Sequence, residues 1–151
     1  MKKSKILIVE DDDDLRKGLA LRLKASGYDV VLASDGLAAV SVARTEQPDL
    51  VLLDIGLPGG NGLTVLRRYS DCAALMFIPV VVLTGRDPMA VEGAVREFGV
   101  AGFLTKPADN AELLRVVERA LRGEPDLAAS TAATDSPDGL RSRNRQESRF
   151  V

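Results

Sequence analysis

Residues 49–62 read Asp-Leu-Val-Leu-Leu-Asp-Ile-Gly-Leu-Pro-Gly-Gly-Asn-Gly, and this stretch decides the fold. Residues 50–53 form a short, continuous apolar run, which is typical of a strand buried on both faces of a parallel sheet. The run ends on a carboxylate, Asp54, and the turn Leu57-Pro58-Gly59-Gly60 then prevents its continuation as a strand or a helix. Parallel α/β sheets bind ligands at this end of their strands. Asp54 is therefore either a functional acid or the cap of a turn, and the ends of the other strands must decide.

The composition limits the possible functions. The chain has 151 residues, enough for one domain, and is 46% hydrophobic and 28% charged. Its net charge of −2 predicts no general attraction to nucleic acid or to an anionic membrane. The single cysteine, Cys72, excludes an internal disulfide, and the lack of histidine excludes a histidine base and a Cys/His zinc site. The apolar run at residues 6–9 is too short for a signal peptide or a membrane span, so we expect a cytoplasmic protein.

Strand-like and helix-like segments alternate five times. The other strands are predicted at residues 6–9, 29–33, 78–83 and 100–105. Each strand is followed by a helical pattern that starts at capping or turn residues, near Asp12, Asp35, Asn61, Asp87 and Asp109. Five βα units with short connections predict an α/β fold, in which a doubly wound parallel sheet has helices on both faces.

The amino-acid composition changes after about residue 123. Residues 124–151 are rich in Ala, Ser, Thr, Asp, Pro and Arg and contain few bulky apolar side chains. Such a segment cannot bury enough surface to offset the entropy of ordering. We therefore predict one folded domain over residues 1–123 and a disordered polar tail over 124–151. The basic stretch at residues 141–145 is either a solvated linker end or a contact for nucleic acid or a partner.

The predicted strand ends carry one chemically matched set of side chains. These are three acids, a hydroxyl and an ammonium: Glu10, Asp11, Asp54, Thr84 and Lys106. Each alone could be a helix cap, a strand threonine or a surface lysine, but the strand ends of a doubly wound sheet share one edge. Carboxylates with an open position suit Mg²⁺, and the lysine and threonine suit phosphoryl oxygens. An aspartate nucleophile that forms an aspartyl phosphate is one known route of phosphoryl transfer.

These motifs resemble the CheY-like receiver domains of bacterial two-component response regulators. The resemblance covers about residues 4–122 and rests on Ile-Leu-Ile-Val-Glu10-Asp11-Asp12, Leu-Leu-Asp54-Ile-Gly-Leu-Pro58-Gly, Val-Leu-Thr84-Gly85 and Phe103-Leu-Thr-Lys106-Pro107. It implies a flavodoxin-like sheet with the strand order 2-1-3-4-5 and five helices. It also implies that a sensor histidine kinase or a histidine phosphotransfer protein supplies a phosphoryl group.

The resemblance further implies the chemical roles of the acids. Asp54 would be the phospho-acceptor. Glu10, Asp11, Asp54 and the backbone carbonyl of Gly56 would hold Mg²⁺, with Glu10 acting through water. The chain would then be a phospho-accepting switch and not an enzyme, apart from its own phosphorylation from small donors and its own dephosphorylation.

The resemblance also implies a switch. Thr84 and Lys106 would bind the phosphoryl group, and the bond between Lys106 and Pro107 would be cis. Phe103 would turn inward as Thr84 closes on the phosphate. The face formed by the fourth helix, the fifth strand and the fifth helix would then be repacked for a downstream protein target. We expect this output to be protein–protein, because the polar tail is too short for a further domain.

Two alternatives remain open on the sequence. A Mg²⁺-dependent phosphohydrolase could use Asp11 as its nucleophile with Asp13 two residues on, although this leaves the position of Asp54 unexplained. A nucleic-acid binder could act through the basic tail, although this leaves the acidic cluster unexplained.

Overall fold

The computed structural model describes residues 2–56, 62–85, 93 and 96–124. Its five parallel strands form one sheet in the order β2-β1-β3-β4-β5, where β1 is Lys5–Val9, β2 Asp29–Ala33, β3 Leu50–Asp54, β4 Val80–Thr84 and β5 Gly102–Thr105. Four helices lie within the described residues: α1 Asp13–Ala25, α2 Gly36–Glu46, α3 Gly62–Ser70 and α4 Asn110–Leu121. The predicted flavodoxin-like strand order is confirmed.

Several predicted features lie outside the described residues. They are the turn at residues 57–61, most of the helix predicted between Asp87 and Gly99, and the tail from residue 125 onward. The boundary between the folded domain and the tail therefore stays a prediction, although the last described helix, α4, ends at Leu121 close to it.

The sheet separates two apolar cores. Alternate residues of a strand face opposite sides, so Leu7 and Leu53 pack on the side of α2 and α3, whereas Ile8 and Leu52 pack on the side of α1 and α4. All five residues of β3 and of β4 are buried. This two-sided burial is the reason that these strands appear in the sequence as continuous apolar runs.

Aspartates begin three of the four described helices. Asp12 is the cap of α1, where its Oδ1 accepts from the N–H of Leu15 at 2.9 Å. Asp35 and Asp109 cap α2 and α4 in the same way. Two predicted strand starts are wrong. β4 starts at Val80 and not at residue 78, because the N–H of Ile78 closes a turn onto the carbonyl of Leu75 at 3.1 Å. β5 starts at Gly102 and not at residue 100, after a turn in which the N–H of Gly99 donates to the carbonyl of Arg96 at 3.0 Å.

Gly62 allows α3 to begin directly against the end of β3. A Cβ atom at this position would lie 2.6 Å from the Cα of Ile55 and 2.9 Å from the carbonyl oxygen of Asp54. The N–H of Gly62 donates to the carbonyl of Ile55 at 2.9 Å. The backbone that carries Asp54 thus depends on a residue without a side chain.

We expect Gly62→Ala to lower the free energy of unfolding by about 2 kcal/mol, because backbone atoms of β3 must move to admit the methyl group. Urea denaturation monitored by circular dichroism would measure the change. The matched control is Gly18→Ala within α1, where nothing lies within 4 Å of the added Cβ. That variant should be more stable than the wild type by up to about 1 kcal/mol. Equal effects at the two positions would contradict the prediction.

Candidate functional site

Three carboxylates and one ammonium meet at the carboxyl edge of the sheet. Glu10 and Asp11 follow β1, Asp54 is the last residue of β3, and Lys106 follows β5. One carboxylate oxygen from each acid lies within 4.8 Å of the other two. The Nζ atom of Lys106 lies 2.9 Å from Glu10 Oε1 and 3.3 Å from Asp54 Oδ2. The structure therefore brings together the acids and the lysine that the sequence places at separate strand ends.

Two of the three acids are buried, Asp11 is exposed, and the site carries more negative than positive charge. Glu10 is 1% exposed and Asp54 is 4% exposed. The site holds three carboxylates against one ammonium, which leaves an excess of two negative charges. Glu10 Oε1 is buried and accepts no hydrogen bond of favourable geometry, although Lys106 lies close enough for an ion pair. Buried charge of this kind needs a further cation or donor, and these oxygen donors suit a divalent cation such as Mg²⁺.

Ionisation in the site follows from burial and from this charge imbalance. Burial raises the pKa of the Glu10 carboxyl, and the negative charge of Asp54 adds to the rise, although Lys106 and the N–H of Asp12 oppose it. Burial alone would lower the pKa of Lys106, but its contacts with Glu10 and Asp54 outweigh that effect and raise it. The ammonium therefore keeps its proton between the two acids.

The backbone around Asp54 fixes its carboxylate. The N–H of Gly56 donates to Asp54 Oδ1 at 3.0 Å. The N–H of Ile55 donates to the carbonyl of Leu83 on β4 at 3.1 Å, which continues the pairing of β3 beyond Asp54. Asp54 is therefore carried by a rigid strand end, whose geometry suits a reacting group better than a loose loop does.

Thr84 and Lys106 are joined through the backbone. Thr84 is the last residue of β4 and is fully buried. The N–H of Lys106 donates to the carbonyl of Thr84 at 2.7 Å. The two residues that the sequence assigns to a phosphoryl group are thus carried by adjacent strand ends, on the side of β3 away from β1.

The predicted switch residues lie on and after β5. Phe103 is half-buried, pairs with Val82 of β4, and packs against the core beneath α2 and α3. The peptide bond between Lys106 and Pro107 is cis, as predicted.

Two arginines of α1 that sequence reasoning missed bind the loops of the site. The Nη1 atom of Arg16 donates to the carbonyl of Glu10 at 2.8 Å. The Nη1 atom of Arg22 donates to the carbonyl of Ala108, two residues beyond Lys106, at 3.1 Å. The position of Arg16, two residues after the run of acids at residues 10–14, could have indicated that it contacts this loop. No sequence pattern pairs Arg22 with a residue so distant in the chain.

Asp13 takes no part in the cluster. It lies in the first turn of α1, is exposed, and forms ion pairs with Arg16 and Lys17. Hydrogen bonding by Lys17, with a smaller contribution from Arg16, lowers the pKa of Asp13. The pair of acids that the phosphohydrolase alternative requires after β1 is therefore not assembled.

Comparison with known proteins matches residues 6–118 to the family described as "Response regulator receiver domain". The chain belongs to this family. Receiver domains act as phospho-accepting signalling modules, and neither the phosphohydrolase nor the nucleic-acid alternative finds support among the relatives. No helix in the described part of this receiver domain is long and apolar enough to cross a membrane.

The relatives share the receiver domain but differ in length. The alkaline phosphatase synthesis transcriptional regulatory protein PhoP of Bacillus subtilis is 37% identical over 127 residues, which are 84% of this chain and 52% of PhoP. Protein PilH of Pseudomonas aeruginosa is 35% identical over 120 residues, 80% of this chain and 99% of PilH. This chain thus spans about half of some relatives and the whole of others.

A solved structure shares the same fold. The receiver domain of the sensor histidine kinase PA1611 from Pseudomonas aeruginosa is 28% identical, with a TM-score of 0.74 over 80% of this chain and 99% of that one. That structure has a magnesium ion coordinated in the active site cleft.

Proposed function

We propose that this receiver domain accepts a phosphoryl group on Asp54 in a reaction that depends on Mg²⁺. One observation carries the proposal: a buried aspartate at the end of β3 lies within 4.8 Å of two further acids and within 3.3 Å of a lysine. An acid that only capped a turn would not need two further carboxylates, one of them buried, and an ammonium beside it.

Glu10, Asp11 and Asp54 would hold the Mg²⁺, together with the backbone carbonyl of Gly56. Hard oxygen donors and the excess of two negative charges support this assignment. So does the magnesium ion in the cleft of the related kinase receiver domain. When bound, Mg²⁺ would offset the repulsion between the acids and polarise the phosphoryl group.

Asp54, Lys106 and Thr84 would each have one role in the phosphoryl transfer. A carboxylate oxygen of Asp54 forms a bond to phosphorus while the bond from phosphorus to a donor histidine nitrogen breaks. The imidazole leaves with the electron pair of that bond. Lys106 binds the phosphoryl oxygens as a point charge, and the hydroxyl of Thr84 donates to them. The chain acts as a phospho-accepting switch, with its own phosphorylation and dephosphorylation as its only catalysis.

The output would pass through the face that carries Phe103. The phosphoryl group draws Thr84 and Lys106 inward, and Phe103 turns into the space that Thr84 leaves. Half-burial of Phe103 beside Val82 supports this, since a partly exposed side chain can be buried further. The predicted helix before β5, β5 itself and α4 would then present a repacked surface to a downstream protein. A sensor histidine kinase or a phosphotransfer protein would be the donor, in the cytoplasm where the kinase meets its ATP.

The test is the intact mass of the full chain after incubation with acetyl phosphate. We expect a gain of one phosphoryl group in Mg²⁺ and none in EDTA. Hydroxylamine should remove the group, because it cleaves an acyl phosphate and leaves a serine or threonine ester intact. A chain that binds Mg²⁺ by calorimetry but gains no mass, or a gain resistant to hydroxylamine, would contradict the proposal.

A further inference from the structure

The guanidinium of Arg16 is bound to the acidic loop that joins β1 to α1. Its Nη1 atom donates to the carbonyl of Glu10 at 2.8 Å and reaches the carbonyl of Asp11 at 3.5 Å. Its Nη2 atom pairs with the carboxylate of Asp13. The Arg16 side chain is only 14% exposed, whereas the neighbouring Lys17 side chain on the same helix is 68% exposed. Arginines are rarely so buried unless they are paired.

Arg16 fixes the middle of a loop whose two ends are fixed by other contacts. At one end the N–H of Glu10 donates to the carbonyl of Ala33 on β2 at 3.1 Å. At the other end Asp12 caps α1. The peptide group between these points joins Glu10 to Asp11, and Arg16 holds its carbonyl oxygen. This hydrogen bond restrains the backbone from which both acids project, in addition to the N–H of Asp12 that donates to Glu10 Oε2 at 3.2 Å.

We propose that Arg16 is a positioning residue for the divalent cation, and that it acts by fixing the backbone that carries Glu10 and Asp11. This inference rests on the proposed function, because it requires these acids to hold Mg²⁺. Charge alone would give the opposite result, since removing a cation near the site should strengthen Mg²⁺ binding. The charge of Arg16 is offset by Asp13 and by two carbonyl oxygens. We therefore expect loss of the hydrogen bond from Arg16 to the loop to affect Mg²⁺ binding more than loss of the charge does.

The test is the Mg²⁺ dissociation constant of the full chain, measured by calorimetry. We expect Arg16→Ala to weaken binding by about 10-fold, the usual size for a residue that orients metal ligands. Arg16→Gln keeps a neutral donor for the Glu10 carbonyl and should recover part of the loss. Lys17→Ala is the matched control: Lys17 pairs with the same Asp13 at 3.2 Å, so its removal takes away an equal charge. It should leave binding unchanged or slightly tighter.

Mg²⁺ binding by Arg16→Ala that equals or exceeds that of the wild type would overturn the inference, because that is the result of charge alone. A wild type that binds no Mg²⁺ would overturn the proposed function itself, so the two failures are distinct. Thermal unfolding in EDTA checks that the variants are folded. If Arg16→Ala is not folded, Arg16→Gln tests the inference instead. Its Mg²⁺ binding should be weaker than that of the wild type, by less than about 10-fold.

Discussion

An Asp54→Ala variant is expected to gain no mass when it is incubated with acetyl phosphate and Mg²⁺, a complete loss of the phosphoryl group that the wild type takes up. The reason is chemical, since Asp54 is the proposed nucleophile and is the buried acid that ends β3, beside two further carboxylates and 3.3 Å from the ammonium of Lys106. We expect the variant to stay folded, because removal of Asp54 also removes its repulsion with Glu10. Intact mass measures phosphorylation, and a urea unfolding curve measures stability. Both are recorded in EDTA-treated and in Mg²⁺-loaded samples.

The control for this result is Asp13→Ala. It removes an acid from the same neighbourhood, but Asp13 is exposed and paired with Lys17 and Arg16 outside the cluster. It should be phosphorylated as the wild type is. Labelling that survives in Asp54→Ala and disappears in Asp11→Ala would mean that Asp11 is the nucleophile, and the assignment of Asp54 would be wrong.

Lys106→Ala should slow phosphorylation from acetyl phosphate by about 100-fold, because one preorganised positive charge at the transferring group is lost. The same change should tighten Mg²⁺ binding. Loss of the ammonium, 2.9 Å from Glu10 and 3.3 Å from Asp54, raises the excess negative charge of the site from two to three. Rate and affinity should therefore move in opposite directions, which no general loss of folding can produce.

The rate is measured by mass at successive times and the affinity by calorimetry. Lys24→Ala, which removes the same charge from the exposed last turn of α1, is the matched control and should change neither quantity. A Lys106→Ala protein that is phosphorylated at the wild-type rate would show that Lys106 only balances the charge of the resting site.

Much of the fold could be predicted from the sequence because the sheet is buried on both faces. Burial on both faces makes β1, β3 and β4 continuous apolar runs, and aspartate caps mark the starts of α1, α2 and α4. Since parallel strands end at one edge, the meeting of Glu10, Asp54 and Lys106 also followed from the strand ends. The strand order itself came from the family resemblance and not from periodicity.

The features of the structure that the sequence did not predict depend on individual hydrogen bonds. The hydrogen bond from Arg22 to the Ala108 carbonyl joins a side chain to a distant backbone oxygen, and any residue supplies such an oxygen, so no sequence pattern predicts it. The hydroxyl of Tyr69 in α3 donates to the carbonyl of Ala39 in α2 at 2.8 Å, and no sequence pattern predicts this hydrogen bond either. The start of β4 was missed because a local turn at Ile78 competes with strand pairing.

The strand order bears on how the protein is made. A ribosome releases the amino-terminal strands first, and β1 lies between β2 and β3, so these three can pair before β4 and β5 emerge. Lys106 follows β5, so it is made after all three acids of the site. During synthesis the three acids are therefore present before the ammonium that pairs with two of them in the finished fold.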